Sequence, residues 1–236
     1  GHVRIYENIS GSWSQIGQDI DGEAQGDQSG YSVSLSAAGN TVAIGAYQND
    51  GNGSNSGQNH NSGHVRIYEN IAGSWSQIGQ DIDGESISMF GDQSGYSVSL
   101  SSDGNTVAIG AIKNDGNGND AGHVRVYENI GGSWSQIGQD IDGEASSDWS
   151  GWSVSLSSDG NTVAIGAIKN AGNGNNAGHV RIYENIQGSW SQIGQDIDGE
   201  AAYDQSGQSV SLSSDGNTVA IVAPWNDENG VNAGHV

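Results

Sequence analysis

Short stretches with β-strand patterns follow one another along the whole chain. In the stretch 31–36, serine alternates with Tyr, Val and Leu, which is the period-two pattern of a strand with two different faces. Three further stretches in the same part of the sequence, 2–8, 12–20 and 41–46, also have β character. The pattern therefore predicts four short strands in succession.

The same text recurs along the sequence and divides it into repeats. Gly-His-Val-Arg-(Ile/Val)-Tyr-Glu-Asn-Ile begins at Gly1, Gly63, Gly122 and Gly178, and a last Gly-His-Val begins at Gly234. A repeat of roughly 40 to 50 residues that contains four strands is typical of a propeller blade. We therefore predict an all-β fold, a β-propeller built of four-stranded antiparallel blades in four repeats.

Turn residues indicate how the strands of one repeat are joined. An Asp-Gly pair stands between the last two strand patterns in the segments 101–106, 157–162 and 213–218, and Ala-Gly replaces it in 36–41. Asp-Gly favours a tight reversal of the chain because glycine tolerates positive φ. The last two strands of each repeat are therefore predicted to form a hairpin, and the first two form a second hairpin that turns at 8–11.

The order of these motifs resembles a known family. The run Ser-Gly-Tyr-Ser-Val-Ser-Leu-Ser-Ser-Asp-Gly-Asn-Thr-Val-Ala-Ile-Gly-Ala fills 94–111, and Gly-His-Val-Arg-Val-Tyr follows at 122–127. This order is similar to that of an FG-GAP repeat, the blade of the integrin α-subunit propeller. The Val-Ala-Ile-Val-Ala-Pro of 219–224 matches the second half of the motif most closely.

The resemblance implies where each blade begins. On its phase, the strand near Tyr31 is innermost and the following strands run outward. Complete blades are then expected at about 26–83, 91–142 and 147–198. A fourth, composite blade combines 204–236 with 1–22, so that this end blade is split between the two termini. The range 1–236 is then a single propeller or a segment of one.

Two features depart from the pattern of the family. FG-GAP propellers usually have seven blades, whereas four repeats are present here. The calcium loop of the family lies between the first two strands of a blade, and here that connection is only Ser-Ser-Asp-Gly-Asn, at 101–105. Such a hairpin is too short to surround an ion that needs six to eight oxygens. The sequence is thus similar to a bacterial-type variant with a shortened calcium loop.

Charge and composition exclude several functions. The sequence has 28 acidic and 6 basic residues, and its net charge is −22. Because so acidic a chain repels phosphate, nucleic-acid binding is excluded. The apolar runs, such as 41–46, are far shorter than the ~20 residues that span a bilayer, so no membrane insertion is expected. The sequence contains no cysteine, which excludes disulfides and thiol catalysis.

Most carboxylates fall in two kinds of loop that we predict to emerge on one face of the sheets, the loop-rich face. The loop from the fourth strand to the next first strand repeats Asp-Ile-Asp-Gly-Glu and a further Asp. Its acids are Asp19, Asp21, Glu23, Asp27, Asp81, Asp83, Glu85, Asp92, Asp140, Asp142, Glu144, Asp148, Asp196, Asp198, Glu200 and Asp204. Alternating oxygen ligands on a loop with glycine suit Ca²⁺, so these residues are the predicted metal ligands. Alternatively, Asp-Gly and Asn-Gly are ordinary turn residues that bond to their own loop.

A second set of residues on the same face is a weaker candidate for ligand binding. The loop from the second to the third strand reads Asp-Gly-Asn-Gly-Asn-Asp at 115–120, which again places oxygen ligands on alternate residues. Three tryptophans do not recur between repeats and lie in or beside the loop-rich face, where an aromatic ring suits ligand contact. The set is Trp149, Trp152, Trp225, Asp115, Asn117 and Asn119.

Three side-chain types recur once in each repeat and are expected to be structural. They are the histidines of Gly-His-Val, the arginines two residues later and the tryptophans of Ser-Trp-Ser-Gln. An active site should appear once, whereas a residue repeated in every blade suits packing between blades. We predict that the arginines reach an acidic loop and that the tryptophans pack against the neighbouring blade.

Several functions are compatible with the sequence. No nucleophile and base pair or phosphate loop appears once and only once, so an enzyme is not expected. The leading hypothesis is a non-enzymatic, extracellular or cell-surface adhesion and recognition module of a larger protein. Calcium would stabilise it, and its loop-rich face would contact a protein or glycan partner. One alternative is a structural assembly or spacer repeat that self-associates through the split blade. Another is an accessory carbohydrate-binding domain of a secreted enzyme.

Overall fold

A computed structural model describes residues 1–50, 61–85 and 91–236 of the chain. These residues form short β-strands joined by turns and loops, and they contain no helix. The all-β class is therefore confirmed for this part of the chain. Over the same ranges, the structure shows no helix with the length and apolar character needed to cross a membrane.

The described residues contain 21 strands, numbered in chain order. The N-terminal segment holds β1 (His2–Val3), β2 (Tyr6–Ile9), β3 (Ser12–Gln15) and β4 (Ile20–Asp21). The first complete sheet holds β5 (Ser32–Leu35), β6 (Thr41–Ala46), β7 (His64–Ile71), β8 (Ser74–Gln77) and β9 (Ile82–Asp83). The second holds β10 (Ser94–Leu100), β11 (Thr106–Ala111), β12 (His123–Ile130), β13 (Ser133–Gln136) and β14 (Ile141–Asp142). The third holds β15 (Ser150–Leu156), β16 (Thr162–Ala167), β17 (His179–Ile186), β18 (Ser189–Gln192) and β19 (Ile197–Asp198). The last two strands are β20 (Ser209–Leu212) and β21 (Val219–Val222).

Each complete sheet is antiparallel and repeats the same strand order. In the second sheet the order is β10, β11, β12 and β13, and β14 pairs with the other end of β12. The register aligns Thr106 with Glu128 and Ala111 with His123. The repeated four-stranded sheets predicted from the sequence are confirmed, with the outermost strand interrupted between β13 and β14.

The first strands of successive sheets lie side by side, which gives a propeller-like arrangement. β5, β10, β15 and β20 pack against one another in that order. Serines link these strands across the gap between sheets. Ser97 Oγ donates to Gly151 O at 2.7 Å, and Ser99 Oγ accepts from Leu156 N at 3.0 Å. Serine therefore recurs in the first strand because its hydroxyl joins one sheet to the next.

The hydrophobic core lies between the sheets, and the second strand of each sheet contributes to both of its faces. Val107 and Ile109 of β11 pack towards the preceding sheet, in a cluster with Val65 and Ile67 of β7. Ala108, between them, belongs to the cluster shared with the following sheet. Because neighbouring sheets cover both faces, this strand is apolar at nearly every position.

The tryptophan of each third-to-fourth strand hairpin packs against the preceding sheet. The indole N–H of Trp134 donates to Ile78 O at 2.9 Å, and that of Trp190 donates to Ile137 O at 2.9 Å. Trp134 is 4% exposed, whereas Trp13, which has no preceding sheet in the structure, is 69% exposed. The structure thus places three of the four recurring tryptophans, Trp75, Trp134 and Trp190, at the sheet interfaces, as predicted.

The composite fourth blade is not formed in the structure. β20 and β21 make a two-stranded sheet, and no strand of 1–22 pairs with it among the described residues. Ala223, directly after β21, instead bridges to His235, which occupies the position that a third strand takes in the other sheets. The segment 1–22 packs against the first complete sheet, where Gln18 Nε2 donates to Trp75 O at 2.9 Å. Closure of a ring through a split blade therefore stays a prediction.

In the Asp-Gly hairpin turns, the aspartate side chain accepts hydrogen bonds from residues of the same turn. Asp159 Oδ1 accepts hydrogen bonds from Ser157 Oγ at 2.6 Å and from Asn161 N at 3.0 Å. These hydrogen bonds lower the pKa of the Asp159 carboxyl. The first repeat has Ala38 at the equivalent position. Both carboxylate oxygens are engaged within the turn, since Asn161 Nδ2 donates to Asp159 Oδ2 at 3.0 Å.

We expect Asp159→Ala to lower the free energy of unfolding by roughly 0.5 to 1 kcal/mol at pH 7, because an exposed turn loses its acceptor. Ala38→Asp introduces the equivalent aspartate in the first repeat, and we expect it to raise the free energy of unfolding by a similar amount. A carboxyl whose pKa is lowered on folding contributes stability above its unfolded pKa of about 4, and this is lost as the pH falls through the folded pKa. Urea unfolding at pH 7 and near pH 2 measures both effects. Equal stability of Asp159→Ala and wild type at pH 7 would contradict this role.

Candidate functional site

The two kinds of connecting loop lie together on the loop-rich face. In the second sheet, residues 112–122 join β11 to β12, and residues 143–149 lead from β14 to β15. Backbone hydrogen bonds connect these loops, with Ser147 N donating to Asn119 O at 2.8 Å and Ser150 N to Ala121 O at 2.9 Å. The hairpin turns lie at the opposite ends of the same strands. The acidic loops are therefore gathered on one side of the sheets.

The last carboxylate of each acidic loop is buried and fixes the neighbouring loop. Asp148 is 3% exposed, and its Oδ2 accepts hydrogen bonds from Ala145 N and from Asn170 Nδ2, both at 3.0 Å. The equivalent residues, each bonded to the equivalent asparagine, are Asp27, Asp92 and Asp204. Burial raises the pKa of Asp92 to about 6. These carboxylates therefore hold two loops together.

The glutamate of each acidic loop reaches the next sheet along the chain. Glu144 Oε1 lies 3.7 Å from Arg181 Nη1, and Arg181 Nη2 donates a 2.7 Å hydrogen bond to Asp142 O. The equivalent ion pairs are Glu23 with Arg66 and Glu85 with Arg125, each at 3.5 Å. The arginine on the third strand of a sheet thus reaches the acidic loop that precedes it, as the sequence predicted.

A buried histidine lies two residues before each of these three arginines, on the same face of the third strand. His179 Nδ1 is 3.7 Å from Glu144 Oε2 and 3.8 Å from Asp196 Oδ2. Burial lowers the pKa of His179, and therefore its imidazole is neutral at neutral pH. The clusters of this kind are Glu23, His64 and Asp81; Glu85, His123 and Asp140; and Glu144, His179 and Asp196. Each cluster joins the glutamate of one acidic loop to the first aspartate of the next.

The predicted calcium ligands of one acidic loop have different partners in the structure. Of one set of four, Asp140 and Glu144 belong to different histidine clusters, and Asp148 is bonded to Asn170. Burial raises the pKa of Asp142, the remaining member. Among the described residues, every group of three or more candidate ligands contains a histidine. These groups therefore give no direct indication of Ca²⁺, which prefers oxygen ligands, and calcium binding stays a prediction.

The Asn-Gly loop uses its predicted ligand residues for hydrogen bonds within the loop and to the neighbouring acidic loop. Asp115 Oδ1 accepts from Asp120 N at 2.8 Å, and Asn119 Nδ2 lies 3.4 Å from the same oxygen. Asn117 Nδ2 donates to Glu144 O at 3.1 Å and to the preceding carbonyl at 2.8 Å. In this structure these residues act as loop-forming residues, which is the alternative left open by the sequence.

Two of the three predicted ligand tryptophans lie in a continuous aromatic cluster. Trp149 and Trp152 are stacked with ring centroids 5.6 Å apart and planes at 4°, and Trp152 lies 4.8 Å from Tyr96. Tyr96 in turn contacts Tyr31 at 5.0 Å and Tyr47 at 5.5 Å. The rings come from the starts of β10 and β15 and from adjoining loops on the loop-rich face. Five rings from three repeats thus form one surface.

Both lysines of the sequence lie against the end of this cluster. Lys169 Nζ is 3.1 Å from the centroid of a Trp149 ring, and Lys113 Nζ is 4.5 Å from it. Lys113 also pairs with Asp120 Oδ2 at 2.6 Å. Burial, and then the charge of Lys113, lower the pKa of Lys169. We call the five rings and two lysines the aromatic–lysine patch. Trp225, the third predicted tryptophan, is 48% exposed.

Sequence reasoning missed Tyr31, Tyr47, Tyr96 and the two lysines, although a signal existed. The residue after the first-strand glycine is aromatic in three successive repeats, at Tyr31, Tyr96 and Trp152. Lys113 and Lys169 occupy the same position of two repeats in a chain with no other lysine. Comparing the repeats position by position would have placed both signals on the loop-rich face.

The fold and loops described above define a repeat protein built from propeller-like antiparallel sheets. The sequence model of the FG-GAP repeat matches residues 20–60, 84–127 and 141–183, which is more than half of the chain. The chain therefore belongs to the FG-GAP repeat family, as its resemblance implied. No curated protein matches it in sequence.

Two solved structures match the chain at low sequence identity. A protein of Bacteroides uniformis assigned as a 6-phosphogluconolactonase matches with a TM-score of 0.56 and 12% identity, over 94% of this chain and 57% of that one. The chain thus spans little more than half the length of that protein. Sqt1 of Saccharomyces cerevisiae matches with a TM-score of 0.47 and 15% identity, over 77% of this chain and 39% of that one. At these identities, the first comparison shows a shared fold alone.

Proposed function

We propose that the chain is a non-enzymatic recognition module of a larger extracellular or cell-surface protein, and that it contacts a glycan or protein partner through the aromatic–lysine patch. The observation that carries the proposal is the continuous contact of five aromatic rings with both lysines of the chain. Aromatic side chains with a polar group suit surfaces that are wetted in the free protein and covered in a complex.

The surroundings of the patch support a binding role. The patch carries both lysines of a chain whose net charge is −22. Tyr31 is 48% exposed, so the cluster opens to solvent at that end. Lysine over an indole ring can hold a partner's anionic group next to a flat apolar surface. Membership of the FG-GAP family supports a repeat module of a larger protein, and the low-identity lactonase match gives no reason to assign an enzyme.

A cation would help to stabilise the loop-rich face. Acidic loops from successive repeats crowd there, and like charges at such density repel one another. We propose that divalent ions bind this face, with Ca²⁺ as the ion expected from the sequence. Thermal unfolding with 5 mM CaCl₂ and with EDTA tests the ion, and equal melting temperatures in both would contradict a calcium contribution.

A glycan array with the full chain tests the binding proposal, with two matched variants. Trp149→Ala removes the ring that both lysines contact, and we expect it to weaken binding at least tenfold. Trp13→Ala is the control, because Trp13 is exposed, lies in β3 and is not one of the five rings of the patch. Circular dichroism of each variant verifies the fold. Binding that persists undiminished in Trp149→Ala and in Tyr96→Ala would contradict the assigned surface.

Apolar residues at the two ends of the row of sheets favour a second function, assembly with further sheets of the same kind. Leu35 of β5 is 50% exposed, whereas the equivalent Leu156 of β15 is 8% exposed. Ile197 at the other end is 40% exposed, whereas the equivalent Ile141 is 3% exposed. Analytical ultracentrifugation tests this function. We expect a dimer or larger species that Leu35→Lys dissociates, and a monomer at all concentrations would argue against self-association.

A further inference from the structure

We propose that the clusters of one histidine and two carboxylates between successive sheets bind divalent transition-metal ions of the Zn²⁺ class. We call them His–carboxylate sites. Each takes a glutamate from the loop before a sheet, a histidine from the third strand of that sheet, and the first aspartate of the acidic loop that follows. The three sites are Glu23, His64 and Asp81; Glu85, His123 and Asp140; and Glu144, His179 and Asp196. They share no residue with the aromatic–lysine patch, and metal binding here does not depend on the partner of that patch.

The buried imidazole is the observation that points to a ligand. His179 is 1% exposed, and its Nδ1 has no hydrogen-bond partner among the described residues. The same is true of His123 in the second sheet. Buried polar atoms are nearly always satisfied in folded proteins, so a nitrogen aimed at two carboxylates without bonding to either needs a partner. The residues of the third site all lie in the described part of the chain.

The spacing of the donor atoms suits an ion between them. His179 Nδ1 lies 3.7 Å from Glu144 Oε2 and 3.8 Å from Asp196 Oδ2, which is too long for a direct hydrogen bond. Two ligand atoms bound at about 2.1 Å to one tetrahedral ion lie about 3.4 Å apart. The three donor atoms of each site fall within 4.8 Å of one another. Small side-chain rotations would therefore complete the coordination.

The chemistry of the donors selects the ion. One imidazole nitrogen and two carboxylate oxygens are a ligand set for Zn²⁺ and related transition metals, whereas Ca²⁺ takes oxygen ligands in larger number. The imidazole forms the buried end of the site, and the carboxylates of Glu144 and Asp196 are partly exposed. Solvent therefore reaches the ion position from one side and can supply a fourth ligand.

The local charge also favours a dication. Asp196, Asp148 and Asp198 place negative charge near the His179 imidazole, and Arg181 places positive charge there. Glu144 adds a further negative charge beside the imidazole, and its other oxygen faces Arg181. Four carboxylates against one guanidinium leave an excess of negative charge that a divalent ion would offset. The ion would also join the preceding acidic loop to the sheet, next to the Glu144 and Arg181 pair.

A fourth group resembles these sites but lacks their decisive feature. Glu200, Glu228 and His235 also lie within reach of one another, yet all three are exposed. Here Glu228, from the loop after β21, takes the place of the first aspartate of an acidic loop. Because this imidazole is open to water, we include only the three sites with a buried histidine.

Titration of the dialysed full chain with Zn²⁺ tests the proposal by isothermal calorimetry, with Co²⁺ absorption as a second readout. We expect three ions per chain at micromolar affinity, d–d bands typical of low-coordinate cobalt, and no displacement by millimolar Ca²⁺. His179→Gln and Glu144→Gln should each reduce the count from three to two. His2→Gln, at an exposed histidine of the same Gly-His-Val text, should retain all three sites.

The number of Zn²⁺ ions bound by each variant decides whether the proposal holds. Loss of one ion in both His179→Gln and Glu144→Gln, but not in His2→Gln, supports the proposal. Glu144→Gln changes a partly exposed side chain, so it keeps the test valid where His179→Gln does not fold. Absence of tight Zn²⁺ binding, or a count that neither variant changes, overturns it. Because the readout is metal stoichiometry, these results are independent of whether Trp149→Ala affects partner binding.

Discussion

Gly110→Ala is expected to lower the free energy of unfolding by about 3 kcal/mol, because a methyl group on Gly110 has no free space. A Cβ at this position of β11 would overlap the carbonyl oxygen of Gly151 in the next sheet and Ser97 Oγ in its own. The carbonyl belongs to an irregularity of β15, and on either side of it Ser150 and Ser153 pair with Ala167 and Gly166 of β16. One sheet would therefore have to move away from the other, with loss of packing along the interface.

Gly151, the opposite partner, shows the same constraint together with a backbone conformation that favours glycine. Its φ is +86°, and a Cβ would lie 2.6 Å from His123 O and 3.0 Å from Gly110 Cα. Gly188 provides a matched control, since its φ is also +86° but nothing lies within 4 Å of its Cβ position. Gly188→Ala should cost about 1 kcal/mol from the positive φ alone. The excess cost of Gly151→Ala then measures the close approach of the sheets.

Urea unfolding midpoints of Gly110→Ala, Gly151→Ala and Gly188→Ala measure these costs. Val222→Ala adds a second comparison, because Val222 of β21 stands at the position of Gly110 in the last repeat, where the structure has no following sheet. We expect Val222→Ala to change stability by less than about 1 kcal/mol. A cost of Gly110→Ala no larger than that of Gly188→Ala would show that the sheets adapt to the added methyl group.

The repeated sequence was sufficient to predict the strands and their order within a sheet. The alternation of serine with apolar residues in β10 and the Asp-Gly turn before β11 both act locally, through side-chain direction and backbone φ. The burial of Trp134 and Arg125 between sheets also followed, since a large residue repeated once per sheet must meet the same surroundings each time. These features depend on one repeat unit and its immediate neighbour.

The composition of the candidate sites could not be read in the same way. Every copy of the acidic loop has nearly the same sequence. The sequence therefore does not show whether Glu144 lies beside Asp140 of its own loop or beside Asp196 of the next loop. The offset between sheets decides this, and it places Glu144 beside Asp196 and His179. Near-identical repeats therefore predict which residue types come into contact, but they do not show which repeat each residue belongs to.

The aromatic–lysine patch was only partly visible in the sequence. Tyr96 and the two lysines recur between repeats, whereas Tyr47 and Trp149 have no aromatic equivalent in the other repeats, so recurrence gives no signal for these two rings. Only the convergence of first strands and adjoining loops on the loop-rich face brings these rings into contact. A unique surface thus arises where the repeats differ, while the repeated residues hold the sheets together.

Trp134→Ala is expected to lower the free energy of unfolding by about 4 kcal/mol, since it empties a large volume in the interface between the first and second complete sheets. Its ring packs in the cluster that contains Val65, Ile67 and Ile82 of the preceding sheet. The change also leaves Ile78 O without the indole N–H that it accepts at 2.9 Å. Both losses fall on the same contact between two sheets.

Trp134→Phe and Trp13→Ala divide this cost into its parts. Phenylalanine keeps much of the buried ring but cannot donate to Ile78 O, so Trp134→Phe should cost about 1 to 2 kcal/mol. Trp13 has the same sequence neighbours but is 69% exposed, and Trp13→Ala should change stability by less than about 0.5 kcal/mol. Urea unfolding followed by circular dichroism compares the three variants. Equal costs for Trp13→Ala and Trp134→Ala would mean that tryptophan stabilises its own hairpin, and that the contact with the preceding sheet contributes little.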